Sequence, residues 1–239
     1  MKPARLLGLG AAAVALLAVI AWHGDTSAST AAAVTADLQG KVQTIVVIYA
    51  ENRAFDNLYG NFPGANGLST VVDPSGKPRA AYVPQKDRDG TTVLATLPRT
   101  WRGVTQRGVQ PVVTEAESAT LPNAPFSIET AFPQKLSDAT VTRDLAHRFF
   151  ENQMEIDGGK NDMFAAWSDA GGLTMGHFDY SASRLYTLAR EYVLADNFFQ
   201  GAFGGSFLNH QYLICACAPE YPGADDSPAK GSITALKTG

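Results

Sequence analysis

The sequence predicts an α/β fold in which helices flank a central, mostly parallel sheet. The first observation is the stretch Thr44–Tyr49, whose near-continuous Ile and Val residues are typical of a strand covered on both faces. The second is a change to helical periodicity after Ser137, with glycine pairs at the ends of the apolar repeats. Helices that return to parallel strands build an α/β sandwich, so the two signals together predict this class.

Residues 1–33 are predicted to lie outside the fold. Lys2 and Arg5 precede the apolar run Leu6–Trp22, and small residues follow at Ala31–Ala33, as in a secretory signal peptide. The run is slightly short for a membrane-spanning helix, which leaves a retained N-terminal anchor as the alternative. We therefore expect a periplasmic or secreted bacterial protein.

The composition is that of a globular protein with a small-molecule partner. Of 239 residues, 45% are hydrophobic and 18% are charged, enough for one substantial core or two small ones. The net charge is −4, and no basic run follows the first few residues, so the sequence does not indicate a basic surface that would bind nucleic acid. We expect no nucleic-acid partner and no stable membrane span after cleavage of the leader.

Cys215 and Cys217 are the only cysteines. A disulfide across one intervening residue closes a small strained ring, and the Cα spacing of an extended segment is near the upper limit for bridging. The sequence therefore leaves two buried thiols or pairing with a group outside this chain as the interpretations. A zinc site is not indicated, because no second Cys or Cys/His pair supplies the other ligands.

Residues 61–126 are rich in Pro, Gly, Thr and charged residues, with only short alternating stretches. A loop of this length inside a compact domain is usually functional or forms a small substructure of its own. The segment is therefore predicted to be an irregular, cap-like insertion of β structure over the edge of the sheet.

The first helix after this insertion is predicted to begin at an N-cap, Thr142, and to end at the glycine pair 158–159. One side of it carries a broad apolar stripe, expected to face the core. The stripe consists of Leu145, Ala146, Phe149, Phe150, Met154 and Ile156. Asp144, His147 and Glu151 lie on the opposite side.

Two more helices and a short strand are predicted further along the chain. The second helix is "NDMFAAWSDAGG" and the third is "SASRLYTLAREY", whose apolar face consists of Leu185, Leu188, Ala189 and Tyr192. The stretch "VLADNFF" after the third helix is a strand candidate that ends on Asp196.

Glu51 and Asn52 follow directly after the predicted strand Thr44–Tyr49. In open α/β sheets, ligands bind at the carboxyl ends of strands. A carboxylate and an amide carbonyl are hard oxygen ligands suited to Mg, Ca or Mn, so these two residues are candidate metal ligands. The alternative is structural: Glu51 pairs with Arg53, and Asn52 caps a turn.

Ser206 follows Gly204 and Gly205 and precedes an apolar stretch that predicts a helix. A serine at a helix N-terminus lies where free N–H groups and the positive end of the helix dipole favour a phosphate oxygen or an alkoxide. Ser206 is therefore a candidate nucleophile, and an ordinary serine N-cap is the alternative. A Gly-x-Ser-x-Gly elbow is absent from the sequence, so an α/β-hydrolase triad is not supported.

Two further polar residues are candidates for the site. His147 is suited to act as a general acid or a phosphate ligand, and a surface ion pair with Glu151 is the alternative. Lys160 follows the end of a helix, where it is placed either to meet the anion of a substrate or to face solvent.

Four blocks in this order resemble the bacterial phosphoesterase family, which contains secreted acid phosphatases and phosphocholine-type phospholipases C within the alkaline-phosphatase-like superfamily. The blocks are "VVIYAENRAFDNLYGNFPGANGL", "DLAHRFFENQMEIDGGKNDMF", "SDAGGLTMGH" and "LADNFFQGAFGGSFLNHQYLICAC". The resemblance covers roughly residues 42–239 and implies an alkaline-phosphatase-like sandwich, of which 34–239 is an N-terminal portion.

The resemblance also implies a chemistry. A serine or threonine attacks phosphorus in line and forms a covalent phosphoenzyme that water later hydrolyses, with a divalent metal assisting. By position, Ser206 is similar to the nucleophile, Glu51 and Asn52 to metal and phosphate ligands, and His147 to an active-site histidine. Members of the family are considerably longer, and their downstream half supplies further histidines and an acidic pair. The resemblance thus predicts a truncated sandwich whose missing C-terminal half is a partner.

We therefore expect a phosphoric ester hydrolase that is most similar to an acid phosphatase and acts on a phosphate ester or a phospholipid head group. A phospholipase C that cleaves phosphodiesters is the alternative within this class. The alternative from another class is a non-catalytic fragment or one half of a split gene product.

Overall fold

The computed structural model describes residue 33 and residues 35–217, so the predicted leader lies almost entirely outside the described residues. The chain divides into two compact units, with the boundary between Glu51 and Asn52. In the first unit, residues 35–41 form a helix (α1), and residues 42–50 are irregular.

The predicted strand Thr44–Tyr49 is wrong. These residues have no regular structure, and Ile45 and Ile48 are 80% and 87% exposed. A strand exists only when its N–H and C=O groups pair with a neighbour. The described part of the first unit contains no strand that could pair with this segment, so its Ile and Val residues are not buried on either face.

The second unit contains two short strands, five α-helices and four 3₁₀ helices among its described residues. The strands are β1 (Phe126–Ser127) and β2 (Gly176–His177). The α-helices are α2 (Phe55–Leu58), α3 (Phe149–Ile156), α4 (Phe164–Trp167), α5 (Arg184–Glu191) and α6 (Ser206–Cys215). The 3₁₀ helices are Leu68–Thr70, Ala116–Ser118, Asp157–Gly159 and Gly171–Met175.

The fold is α/β, and its sheet consists of β1 and β2 alone within the described residues. The two strands are parallel, with Phe126 opposite Gly176 and Ser127 opposite His177. The large central sheet that the sequence predicted is not seen in this part of the chain. The strand candidate "VLADNFF" is irregular and exposed as well, with Val193 and Phe198 on the surface.

The core of the second unit lies between β1, β2 and the segment 61–126. Val104 and Val113 from this segment are fully buried and belong to the same apolar cluster as Ile128 and Phe178. The segment contains two 3₁₀ helices and isolated antiparallel bridges, such as Lys86 with Val93. It therefore contributes to the core instead of only covering an edge.

Helix α3 begins later than predicted. Its N-cap is Arg148, and its first residue, Phe149, lies seven residues after the predicted N-cap, Thr142. Residues before it are extended: Thr142 pairs with Thr105, and the N–H of Arg143 donates to the carbonyl of Val104. These backbone bonds compete with helical ones and delay the start of the helix. The predicted end near Gly158 and Gly159 is confirmed, since both adopt a positive φ.

The predicted burial of the apolar stripe is confirmed only in part, since Leu145 is partly buried and packs against the core cluster. Phe149, Phe150 and Met154 are exposed, whereas Glu155 is buried. The second predicted helix is reduced to the four residues of α4 followed by a 3₁₀ turn.

The third predicted helix is confirmed as α5. Its N-cap Ser183 accepts a hydrogen bond from the N–H of Tyr186. Tyr186 is its buried residue, whereas Leu185 and Tyr192 from the predicted apolar face are exposed.

Cys215 and Cys217 are bonded to each other, with their Cα atoms 5.2 Å apart. Both residues are exposed, so the prediction of two buried thiols is wrong, and neither cysteine is left for a group outside the chain. Ala216 adopts a left-handed conformation with a φ of 52°, and this turn brings the two cysteines within bridging distance.

None of the helices in the described residues combines the length and the apolar character that crossing a membrane requires.

Candidate functional site

A cavity of about 540 Å³ in the second unit contains Asn52 in its lining. We call it the Asn52 cavity. Its walls come from the chain before α2, from the segment 138–145 and from one side of α3. The polar side chains among its lining residues are Asn52, Arg53, Asn57, Asp138, Thr140, Thr142, Arg143, Asp144, Asn152, Glu155 and Thr174, together with Gln106. A larger cavity of about 850 Å³ shares Arg143 and Asp144 but has no Asn52 in its lining.

Asn52 is held in place by Asp144, which lies 92 positions along the chain. The amide nitrogen Nδ2 of Asn52 donates to Oδ1 of Asp144 at 2.8 Å. This bond fixes the orientation of the amide, because only its nitrogen can donate.

The segment that carries Asp144 is anchored on both sides. The side chain of Arg143 forms an ion pair with Asp169, and Oδ1 of Asp169 accepts a hydrogen bond of 2.8 Å from the N–H of Ala146. Burial opposes ionisation of Asp169, but the hydrogen bonds from Ala146 and Arg143 outweigh it and lower the pKa of this carboxyl. Asp169 thus acts as a fixed charge that positions residues 143–146.

His147 follows this anchored segment. Its Nδ1 lies 2.8 Å from the carbonyl oxygen of Leu145. Because a carbonyl oxygen only accepts, this contact requires a hydrogen on Nδ1, which leaves Nε2 as the ring nitrogen that can exchange a proton. The ring is therefore hydrogen-bonded to the backbone of Leu145, and Nε2 is the nitrogen suited to proton transfer.

Ser206 is the first residue of α6. Its predicted place at a helix N-terminus is confirmed, but the N-cap is Gly205, and no side chain caps the helix. The alternative interpretation of Ser206 as an N-cap is thus not seen. The first N–H groups of a helix have no acceptor within the helix, so the start of α6 presents N–H donors close to Ser206.

Gly205, the residue before Ser206, packs against His147. A Cβ atom placed on Gly205 would lie 2.9 Å from the carbonyl oxygen of His147 and 3.9 Å from its ring carbon Cδ2. Only glycine permits so close an approach. We call residues 202–206 the Ser206 turn.

Neither Ser206 nor His147 lines the Asn52 cavity. The connection is the continuous backbone from Asp144 to His147. Glu155, which lines the cavity, also interacts electrostatically with His147. The site residues of the second unit thus form two neighbouring groups, one around Asn52 and one around Ser206.

Lys160 makes its contact outside these two groups. Nζ of Lys160 forms an exposed ion pair of 2.8 Å with Asp157, which raises the pKa of the lysine, and Lys160 does not line the Asn52 cavity. Glu51 is an exposed residue of the first unit.

The described residues do not fit a metal ion. Among residue 33 and residues 35–217, no group of three or more His, Cys, Asp and Glu side chains is arranged to hold one. A hard cation takes about six or more oxygen ligands, more than Glu51 and Asn52 supply. We therefore assign no chemical step to a metal.

The sequence interpretation missed the roles of Asp144, Glu155 and Asp169. The sequence predicts Asp144 on the polar side of a helix. In the structure it lies in an extended segment and accepts a hydrogen bond from Asn52. Asp169 lay inside a predicted helix and carried no signal of its own. Contacts across tens of residues leave no local pattern, so no periodicity argument identifies them.

A serine at the positive end of a helix is suited to nucleophilic group transfer, and the glycine before Ser206 packs against the backbone of His147. A family model described as the Phosphoesterase family matches residues 42–237, so the chain belongs to that family. The resemblance inferred from the four sequence blocks is confirmed, and membership indicates a hydrolase of phosphoric esters. No curated protein and no solved structure matches the chain.

Proposed function

We propose that this protein is an acid-phosphatase-like phosphoric monoester hydrolase with Ser206 as its nucleophile. The observation that carries the proposal is the Ser206 turn, which places Ser206 at the start of α6 and packs Gly205, the residue before it, against the backbone of His147. Family membership supports the reaction class, and the unused N–H groups at the start of α6 support binding of a phosphoryl oxygen.

The proposed reaction has two steps. Oγ of Ser206 attacks phosphorus, a P–O bond forms to the serine, and the P–O bond to the leaving alcohol breaks. Water then attacks the phosphoserine, the bond from phosphorus to Oγ breaks, and inorganic phosphate leaves. In the first step, Nε2 of His147 is proposed to take the proton of Ser206 and to give it to the oxygen of the leaving alcohol. In the second step, it takes a proton from the attacking water and returns it to Oγ of Ser206.

Asn52 is proposed to bind a phosphoryl oxygen at the edge of its cavity, in a position fixed by Asp144. Lys160 stays a proposed substrate contact, and in the structure its ammonium group donates a hydrogen bond to Asp157. A divalent metal near Glu51 and Asn52 also stays a prediction from the family resemblance, since the described residues do not complete its site.

A phospholipase C is a second candidate, and a specific observation favours it. Phe203 and Phe207 flank Ser206 and are 64% and 76% exposed. Aromatic rings around a reacting group suit an ester with an apolar alcohol, because they bury its apolar surface. A phosphatidylcholine vesicle as substrate distinguishes this candidate from a monoesterase.

We also propose that the protein is exported. The predicted leader over residues 1–33 motivates this, and the Cys215–Cys217 disulfide supports it, since such bonds persist in oxidising compartments. Cell fractionation with antibody detection tests it, and recovery in the cytoplasmic fraction alone would contradict it.

The test of function is hydrolysis of a chromogenic aryl phosphate by the purified chain, with and without added divalent metal. Ser206→Ala removes the nucleophile, so we expect the rate to fall by about a thousandfold or more. Because Ser206 caps nothing through its side chain, the midpoint of thermal unfolding should hardly change.

Ser183→Ala is the matched control. Ser183 also lies at a helix start, but its hydroxyl accepts a hydrogen bond of 3.0 Å from the N–H of Tyr186. Its removal should cost about 1 kcal/mol of stability and leave hydrolysis unchanged. Hydrolysis by the Ser206 variant at the parent rate would disprove the nucleophile assignment, and a folded chain without turnover would favour the non-catalytic alternative.

A further inference from the structure

Asn209 is a buried amide in the first turns of α6, with 5% of its surface exposed. All of its side-chain hydrogen bonds go to the Ser206 turn. Nδ2 donates to the carbonyl of Gly204 at 3.0 Å and to that of Gly205 at 3.3 Å. Oδ1 accepts from the N–H of Ala202 at 3.1 Å.

Through these bonds the amide of Asn209 both donates to and accepts from the backbone of the Ser206 turn. The two carbonyl groups before Ser206 are drawn toward the amide nitrogen, and the N–H of Ala202 is drawn toward the amide oxygen. The backbone N–H of Asn209 also donates to the carbonyl of Gly205, at 3.4 Å. Asn209 therefore sets the direction in which the chain enters the helix at Ser206.

The other side of the turn is equally confined. A Cβ atom on Gly204 would lie 3.5 Å from the ring of Phe149, and one on Gly205 would lie 2.9 Å from the carbonyl oxygen of His147. A Cβ atom on Gly201 would lie 2.9 Å from the side chain of Tyr212. The turn is thus packed between α3 with its preceding residues and α6, with Asn209 as its hydrogen-bonding anchor.

We propose that Asn209 is a positioning residue for Ser206: its amide clamps the Ser206 turn so that Oγ of Ser206 stays aligned with the bound phosphoryl group. This inference rests on the proposed function, because it requires Ser206 to be the nucleophile. Asn209 does not touch the substrate. It acts on the rate, because small displacements of a nucleophile reduce the fraction of productive geometries.

Asn209→Asp is the most informative variant. A carboxylate still accepts from the N–H of Ala202, but it has no hydrogen to donate, and it faces the carbonyl oxygens of Gly204 and Gly205. We expect kcat for an aryl phosphate to fall by about tenfold to a hundredfold, with KM within about twofold of the parent value. Asn209→Ala tests the same bonds without the added charge and should give the same division between kcat and KM.

Asn123→Asp is the matched control. Nδ2 of Asn123 donates to the carbonyls of Gln85 and Leu94 at 2.8 and 2.9 Å, and Oδ1 accepts from the N–H of Gln85 at 2.9 Å. It is the same kind of amide clamp in the segment 61–126. We expect a similar loss of thermal stability from this substitution, with kcat unchanged below the unfolding temperature of both variants.

The outcomes separate the two proposals. A parent-level kcat in the folded Asn209 variants overturns the positioning role while leaving Ser206 in place, provided that Ser206→Ala is inactive. An equal fall of kcat in Asn123→Asp also overturns it, because the effect is then one of stability alone. Full activity of Ser206→Ala, or an inactive folded parent, overturns the proposed function and this inference with it.

Discussion

Glu155 carries a carboxyl group that the fold buries without fully satisfying it. Only 1% of the residue is exposed. One carboxyl oxygen, Oε2, accepts a hydrogen bond of 3.0 Å from Asn152, whereas Oε1 has no hydrogen-bond partner among the described residues. Burial raises the pKa of this group, and the nearby charges of Glu151 and Asp169 add to the effect, against opposing contributions from Asn152 and His147. The ionised form of Glu155 therefore costs stability.

The pH dependence of this cost has a definite sign. Below the ordinary pKa of 4.5, the carboxyl is neutral in both the folded and the unfolded chain, so the raised pKa imposes no penalty. As the pH rises through the folded-state pKa, the unfolded chain ionises more readily than the folded one, and stability is lost.

Glu155→Gln should therefore stabilise the protein at pH 8, by an amount on the order of 1 kcal/mol, and hardly at all near pH 4. Urea unfolding at the two pH values measures the difference. Glu191→Gln, at the exposed end of α5, controls for the loss of one negative charge. An equal gain at both pH values would contradict the explanation.

At the residue scale, the sequence predicts the start of α6 but not the partners of the site. Gly204 and Gly205 before an apolar helical stretch form a local signal, and Ser206 does begin the helix. The bond from Asn52 to Asp144 spans 92 positions, and it depends on how segments fold together. Glu155 was missed because the apolar period of α3 predicts burial of Phe149 and Phe150 instead.

At the element scale, β1 and β2 pair so closely that Gly176 has no room for a side chain. A Cβ atom there would lie 2.5 Å from Cγ1 of Ile128 and 2.7 Å from its Cδ1. Ile128 is fully buried in the core, so it has no free volume into which it can retreat.

Gly176→Ala should destabilise the protein by about 1–3 kcal/mol, because the methyl group overpacks the core. Thermal unfolding followed by circular dichroism measures this. Gly40→Ala is the control: it lies in α1, with no atom of the described residues within 4 Å of the added methyl, and it should be neutral or slightly stabilising. Equal unfolding midpoints for Gly176→Ala and the parent would refute the close packing of the strands.

The elements differ in how well the sequence predicts them, for physical reasons. Helix α5 has an N-cap, Ser183, within its own sequence, and the sequence predicts the helix, although it begins at Arg184, three residues after the predicted start. Strands of two residues are too short for an alternating pattern to exist, so β1 and β2 could not be found. The start of α3 is determined by the pairing of Thr142 with Thr105, which a local N-cap signal does not reveal.

At the scale of the whole molecule, many large apolar side chains are exposed. Ile45, Val46 and Ile48 in the first unit and Phe198 and Phe199 in the second are all at least 78% exposed. Contiguous exposed apolar surface binds hydrophobic dyes and promotes association. The α/β class is predicted correctly, whereas the buried central sheet is not, because its strands would need partners that the described residues lack.

The parent chain should therefore enhance the fluorescence of an anilinonaphthalene dye, and the double substitution Ile45→Lys with Ile48→Lys should reduce this signal. Both residues are exposed, so thermal stability should hardly change. Gln43→Lys adds charge to the same exposed segment without removing apolar surface and should leave the dye signal intact. An unchanged signal in the double variant would show that this segment does not bind the dye.

The central claim is that Ser206 is the residue that takes up the phosphoryl group. The most direct measurement is to mix the chain with an aryl phosphate, quench it in acid within one turnover and locate the phosphoryl group by peptide mass spectrometry. The account predicts phosphoserine at Ser206 in the parent and none in Ser206→Ala. Turnover without a phosphoryl group on Ser206, or with one on another residue, would contradict it.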